Sequence, residues 1–252
     1  MTVGNLKSAV RDTTNLSQLS LGPVVMMMLT GAIYGCFGGG WTLAAAQSVD
    51  SNQAETHFRD AEQALDKKDT ETALANLEKA LSLDPANAKY QDKYGGTVIA
   101  TTAYARGVKF LASQAERKPT ASIYFVLGKI ELDRYRRDPN VSEKQKASLA
   151  AIGHFSETIK LDEKHVEARL MRGIIYHYIP LQFNQMGEAI ADFEWLVKAR
   201  PDLAIAYRYL ADSYAKLKDV TKARAVLSEA ARRFPDDQKV QERLKQLPEA
   251  QN

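Results

Sequence analysis

The chain has 252 residues, of which 45% are hydrophobic, 26% charged and 8% aromatic. That is the composition of a folded globular protein, and it excludes a disordered or collagen-like chain. Lysine and arginine number 34 against 31 acidic residues, a formal net charge of +3 with the two signs interspersed, so no nucleic-acid footprint is indicated. The single cysteine, Cys36, excludes an intramolecular disulfide framework and a Cys-based zinc cluster.

The first fifty residues stand apart. No charge lies between Asp12 and Asp50, and Leu21 to Ala46 is mostly apolar behind a short leader carrying Lys7 and Arg11. A basic leader, an apolar run and a small-residue end form an export signal. Ala44 and Ala46 satisfy the A-x-A rule, which places cleavage after Ala46. The run is also long enough to span a bilayer as an uncleaved anchor. Pro23, Gly31, Gly35 and Gly38-Gly39-Gly40 weaken a long helix there. A third reading takes Ile33-Tyr34-Gly35-Cys36 as a loose lipobox, with Tyr34 departing from that pattern. The first two readings both put the rest of the chain outside the cytoplasm.

From about Asn52 the chain repeats. Pro85 and Pro119 lie 34 residues apart, as do Pro201 and Pro235. Ala61, Ala73, Ala80 and Pro85 are spaced 12, 7 and 5 residues, and Ala211, Ala223, Ala230 and Pro235 repeat that spacing. A period of this length, with small residues where two helices must approach, predicts paired helices stacked side by side. Leu74, Leu77 and Leu81 recur at helical spacing opposite Glu71, Asn76, Glu78 and Lys79. Ala223, Val226, Leu227 and Ala230 do the same, and no strand alternation stands out. Ser142-Glu143-Lys144-Gln145 predicts a capped helix start after the Asp138-Pro139-Asn140 break. Val240, Leu244 and Leu247 fall on one face of a short terminal helix, as a repeat cap requires.

These blocks resemble the tetratricopeptide repeat family. Residues 204–237 carry Tyr207, Leu210, Ala211, Tyr214, Ala223, Leu227, Ala230 and Pro235 at the family's main positions, with Asp219 at its inter-helix turn. Residues 54–87 match through Ala61, Asp69, Ala73, Leu77, Ala80 and Pro85, with His57 where an aromatic is usual. Residues 88–121 keep Tyr94, Gly95, Leu111 and Pro119, with Gly107 in place of an alanine and Gln114 at another small position. Two further copies carry insertions: one uses Tyr124, Leu127, Gly128, Ala151 and Phe155, the other Gly173, Tyr176, Ala189, Phe193 and Pro201. The resemblance implies an all-α, right-handed α-solenoid of about five helix pairs plus a C-terminal capping helix. The expected organisation is a signal peptide or anchor at 1–46, a linker at 47–53, the solenoid at 54–247 and a tail at 248–252.

A search for chemistry returns negatives. His57, His154, His165 and His177 form no HExxH or other i, i+4 pair. No nucleophile elbow or Walker-type loop occurs. The expectation is no catalytic residue, no metal and no cofactor. The densest basic run, Asp133-Arg134-Tyr135-Arg136-Arg137 with Lys144 and Lys146, is diluted by Asp138 and Glu143 and reads as a solvated face.

What remains is a binding surface. In the family the first helix of each pair lines a concave groove that holds a peptide. Carried over by position, that groove includes Phe58, Phe125, Leu170, Ile174, Tyr178 and Arg208, with Lys129, His177 and Asp212 as polar points. The two-carboxylate clamp of the chaperone-binding members is absent: the matching positions hold Glu55, Phe58 and Glu62, then Lys89, Asp92 and Gly96. The apolar insertion Tyr178-Ile179-Pro180-Leu181-Gln182-Phe183 is a second candidate contact through Leu181 and Phe183, or else folds back on the repeat. The sequence therefore predicts a non-enzymatic adaptor or scaffold acting outside the cytoplasm, periplasmic or anchored in the inner membrane. Its partner is another protein, with self-association open and the membrane touched only through a retained N-terminal segment. The alternative is an anchored accessory subunit of a membrane enzyme, secretion or transport complex.

Overall fold

The structure, a computed structural model, describes residues 40–178 and 185–248, with side chains from Asp50 onward. Residues 1–39 of the signal or anchor expected at 1–46, Cys36 among them, Leu181, Phe183 and the tail beyond Pro248 lie outside the described residues. The described residues form helices joined by short turns, with no strand among them. They fall into two compact units, residues 40–118 and 119–248.

The first unit holds two helix pairs: α1 (Gly40–Asp66) with α2 (Thr70–Leu83), and α3 (Ala88–Thr101) with α4 (Tyr104–Arg117). The second holds α5 (Ala121–Arg137) with α6 (Val141–Leu161), α7 (Val166–Tyr178) with α8 (Met186–Ala199), and α9 (Ala204–Lys216) with α10 (Val220–Arg233), closed by α11 (Gln238–Gln246). The fold is an all-α helix-pair repeat. One boundary differs from expectation. The segment 47–53, read as a linker, is continuous helix within α1. Leu43-Ala44-Ala45-Ala46 are strong helix formers, and no proline or glycine follows Gly40 before Asp66.

The repeated alanines are the reason the pairs close. Ala61, Ala73, Ala80, Ala211, Ala223 and Ala230 are all at most 1% exposed. A larger side chain at these points would hold the helices apart. Glycine goes further at three positions. A Cβ on Gly107 would lie 2.5 Å from Val98, one on Gly128 2.5 Å from the Phe155 ring, and one on Gly173 2.9 Å from Phe193. Gly107 thus replaces the usual alanine because Val98 fills the space a methyl group would need.

The turns repeat as well. Asp69 caps α2 by accepting from the Thr72 N–H, and Asp219 caps α10 by accepting from the Lys222 N–H. Each cap follows a lysine in the left-handed region, Lys68 at φ 60° and Lys218 at φ 63°. Asp237 caps α11 in the same way, through the Val240 N–H. The start of α6 corrects the sequence reading. Asn140, not Ser142, is the cap: its side-chain oxygen accepts from the N–H groups of Ser142 and Glu143 at 2.8 and 3.2 Å. Asparagine ranks with serine as a cap, and Pro139 before it sets the chain outside the helix.

Candidate functional site

In the first unit, Phe58 is 1% exposed and stacks on Tyr90, ring centroids 4.8 Å apart. The Lys89 ammonium lies 4.2 Å over the Phe58 ring and 3.9 Å from Glu55. Tyr90 donates to Glu55 at 2.7 Å, and its hydroxyl pKa is pushed up to about 12 by burial and by that carboxylate. Lys93 pairs with Glu62 at 3.5 Å. Glu55 and Glu62, which argued against a carboxylate clamp, therefore neutralise the neighbouring lysines. Phe58 was expected in an open groove. It is a packing residue here, since the α1–α3 contact closes over it.

The second unit sorts the remaining candidates by exposure. Leu170 and Ile174 have no exposed surface, His177 is 3% exposed, and Arg208 is buried. Their expected groove role is corrected to packing, because α7 lies among neighbouring helices close enough to bury that whole row. Phe125, Lys129, Tyr178 and Asp212 keep partial exposure. Phe125 lies 4.5 Å from the His165 ring and 5.9 Å from Phe155, with the Lys129 ammonium 5.1 Å from its centroid. His165 is fixed in turn because its Nδ1 accepts from the Ala168 N–H at 3.2 Å, capping α7. Burial lowers the pKa of His165 and of His154, so both favour the neutral imidazole. Asp212 accepts from Arg243 of α11 at 2.9 Å, which ties the terminal helix to α9.

The sequence did not pair His177 with Ser213, which the fold brings to 2.8 Å. The Ser213 hydroxyl donates its single proton to the Tyr209 carbonyl at 2.7 Å. Its oxygen therefore accepts from His177 Nδ1–H, a tautomer assigned from the network. A base ready to activate a serine would accept that proton instead, so this pair is not poised as nucleophile and base. Lys216 donates to the His177 carbonyl, capping the last turn of α7. Burial, with Lys216 and Arg243 nearby, lowers the His177 pKa to about 3.

Two further networks are structural. Arg172 makes a bidentate pair with Asp192 at 2.8 and 2.7 Å and also reaches Ser156, joining α6, α7 and α8. The basic run on α5 is paired with local carboxylates, Arg134 with Glu143 at 2.7 Å and Arg137 with Asp133 at 2.9 Å, and Lys146 of α6 pairs with Glu143 at 2.8 Å. In the first unit a cleft of about 570 Å³ lies among Gln53, His57, Lys79, Ser82 and Phe110, and the buried His57 Nδ1 has no hydrogen-bond partner. No periodicity signal points to that cleft, since it joins residues of three helices.

Comparison with known proteins agrees with this geometry. Tetratricopeptide repeat models match residues 181–238 and 64–87. No curated protein matches the chain. Among solved structures, the MamA protein is similar at a TM-score of 0.56 and 18% identity, over 74% of this chain and 94% of that one. YrrB, described as a tetratricopeptide repeat protein with an unusual peptide-binding site, is similar at 0.55 and 20% identity, over 82% and 98%. A tetratricopeptide repeat protein from Parabacteroides merdae is similar at 0.56 and 15% identity, over 78% and 72%. At these identities the likeness is one of fold. Two segments of the chain thus match tetratricopeptide repeat models, and its helix-pair fold is the one these solved structures share.

Proposed function

We propose that this protein is a non-enzymatic scaffold that captures a segment of a partner protein, acting outside the cytoplasm. The observation that carries the reading is the half-open cluster of Phe125, Lys129 and His165. It sits on and beside the first helix of a pair, presents an apolar ring with a cation over it, and is held by backbone capping rather than by a loop. An apolar anchor with a charged orienter on a rigid element suits recognition of a peptide side chain beside a carbonyl or carboxylate. Tyr178 and Asp212 extend the candidate surface on α7 and α9. Export rests on the basic leader and the charge-free run that ends before Asp50.

The test is crosslinking capture from membrane and soluble fractions with the wild type, Lys129→Glu and Phe125→Ala. Loss of a captured protein in both variants, with unchanged melting of Lys129→Glu, supports the reading. Equal capture by all three refutes this face. Recovery of the chain itself as the crosslinked species would make the partner a second copy. An accessory role in a membrane complex is favoured instead if the captured species are integral membrane proteins and the N-terminal segment is present.

A further inference from the structure

We infer that the cleft of the first unit is a second binding site, which takes the carboxy-terminal residue of a peptide: a large apolar side chain beside a free carboxylate. The inference is independent of the Phe125 face and goes beyond the function proposed above. Three helices build the cleft. α1 supplies Gln53 and His57, α2 supplies Lys79, Ser82 and Leu83, and α4 supplies Phe110. Its volume of about 570 Å³ falls within the range of small-ligand sites. Leu83 and Phe110 are half-buried, and the Phe110 ring is tilted against Tyr94 with centroids 5.2 Å apart. The apolar wall is therefore held in place before anything binds, which lowers the cost of binding.

Charge and proton placement select the ligand. Glu78 also lines the cleft, but its carboxylate is already neutralised: Arg106 donates to both oxygens at 2.8 and 3.0 Å, and Tyr94 donates at 2.8 Å. The exposed Lys79 ammonium makes no ion pair among the described residues. One cation is thus left uncompensated, and the cleft favours an anion. His57 adds a second donor. Its Nδ1 is buried with no hydrogen-bond partner. A proton there would be an orphaned buried N–H, the rarer kind of unsatisfied group, so the proton is assigned to Nε2. Nε2 is unpaired too, at the accessible edge of a half-exposed ring that lines the cleft. An ammonium and an imidazole N–H suit a carboxylate. Ser82 asks for the opposite. Its hydroxyl donates to the Glu78 carbonyl at 2.7 Å, which leaves its oxygen as an acceptor for a peptide N–H. A fatty acid offers the carboxylate and the apolar body but no N–H, so a peptide end is the occupant that answers every group.

The experiment titrates the full chain with glycyl-leucyl-phenylalanine carrying a fluorescent dye at its amino end and a free carboxy terminus, followed by anisotropy. The expected result is saturable binding, with the unlabelled carboxy-terminal amide competing about tenfold less well than the unlabelled acid. Equal competition by acid and amide overturns the carboxylate. Decanoate that displaces the dye better than the unlabelled acid overturns the peptide and makes the occupant a lipid. No saturable binding at millimolar peptide overturns the site outright. Lys79→Gln and His57→Phe should each weaken binding about fivefold. His57→Phe keeps a ring in place and removes the unpartnered Nδ1, so it should melt no lower than the wild type. Unchanged affinity in both variants overturns the site. Lys129→Glu should bind the tripeptide as the wild type does, and loss of binding there would assign the peptide to the Phe125 face instead. Equal partner capture by the wild type and Lys129→Glu would sink the Phe125 face and leave this cleft standing.

Discussion

Acid should unfold this protein partly through one buried histidine. His177 is 3% exposed, donates to Ser213, and faces the Lys216 and Arg243 cations with the Tyr178 and Tyr209 rings against it. Its pKa falls from 6.5 to about 3, first through burial and then through the two cations. The folded-state value lies below the unfolded one, so the unfolded chain binds the proton first as pH falls. The stabilisation is therefore complete above the unfolded pKa and is lost progressively between it and the folded value. One unit of difference is worth about 1.4 kcal/mol, so near pH 4.5 this one residue removes roughly 3 kcal/mol. That is a large share of a typical domain stability of about 5–15 kcal/mol. The assay is urea unfolding followed by helical circular dichroism, near pH 7.5 and near pH 4.5, for the wild type and His177→Asn. The asparagine amide replaces the Nδ1 donor to Ser213 without a group that titrates. The variant should be less stable at neutral pH because a cavity is left, yet lose about 3 kcal/mol less on acidification than the wild type. Parallel pH profiles for the two proteins would refute the reasoning, whatever His154 and His165 contribute to both.

Other perturbations read different parts of the packing. Asp192→Ala leaves the Arg172 guanidinium without its bidentate partner and should cost about 3–5 kcal/mol, seen as a lower urea midpoint. A loss below about 1 kcal/mol would mean that the pair is dispensable. Gly128→Ala should destabilise by about 1–3 kcal/mol, because its methyl would meet the Phe155 ring. Gly96→Ala and Gly153→Ala, whose added Cβ meets no atom within 4 Å, should each stabilise by about 0.5–1 kcal/mol. Thermal melts of the three variants check that ordering. Thr102 and Lys218 hold positive φ values of 57° and 63°, so Thr102→Gly and Lys218→Gly should each raise stability by about 1 kcal/mol. A drop in melting temperature for either would mean that its side chain contributes more than its backbone costs.

How much of this was legible in the sequence differs by level. The helix pairs were, because a two-helix unit repeats its constraints: Ala73 and Ala223, Ala80 and Ala230, Asp69 and Asp219 each answer the same steric or capping need 150 residues apart. The start of α6 was misplaced by two residues, because Asn140 and Ser142 both offer a capping oxygen. Only the folded backbone shows which one is outside the helix. The candidate site was legible in part. Position in the repeat named Phe125 and Lys129 together with Leu170 and Ile174, and periodicity gave all four the same standing.

The sequence by itself determined the local quantities: helix spacing, cap chemistry, the small residues at helix contacts, and the charge-free run before Asp50. Each depends on neighbours within one or two turns, so spacing records it. The tertiary structure alone decided exposure and pairing. Leu170 and Ile174 are closed over while Phe125 stays half open, because burial depends on how near the next helix lies. His177 is neutral because it is buried beside two cations, and it serves as a donor because Ser213, 36 residues away, spends its proton on the Tyr209 carbonyl. Arg172 finds Ser156 on one helix and Asp192 on another. Such contacts join residues that share no local pattern, and they exist only once the helices have packed.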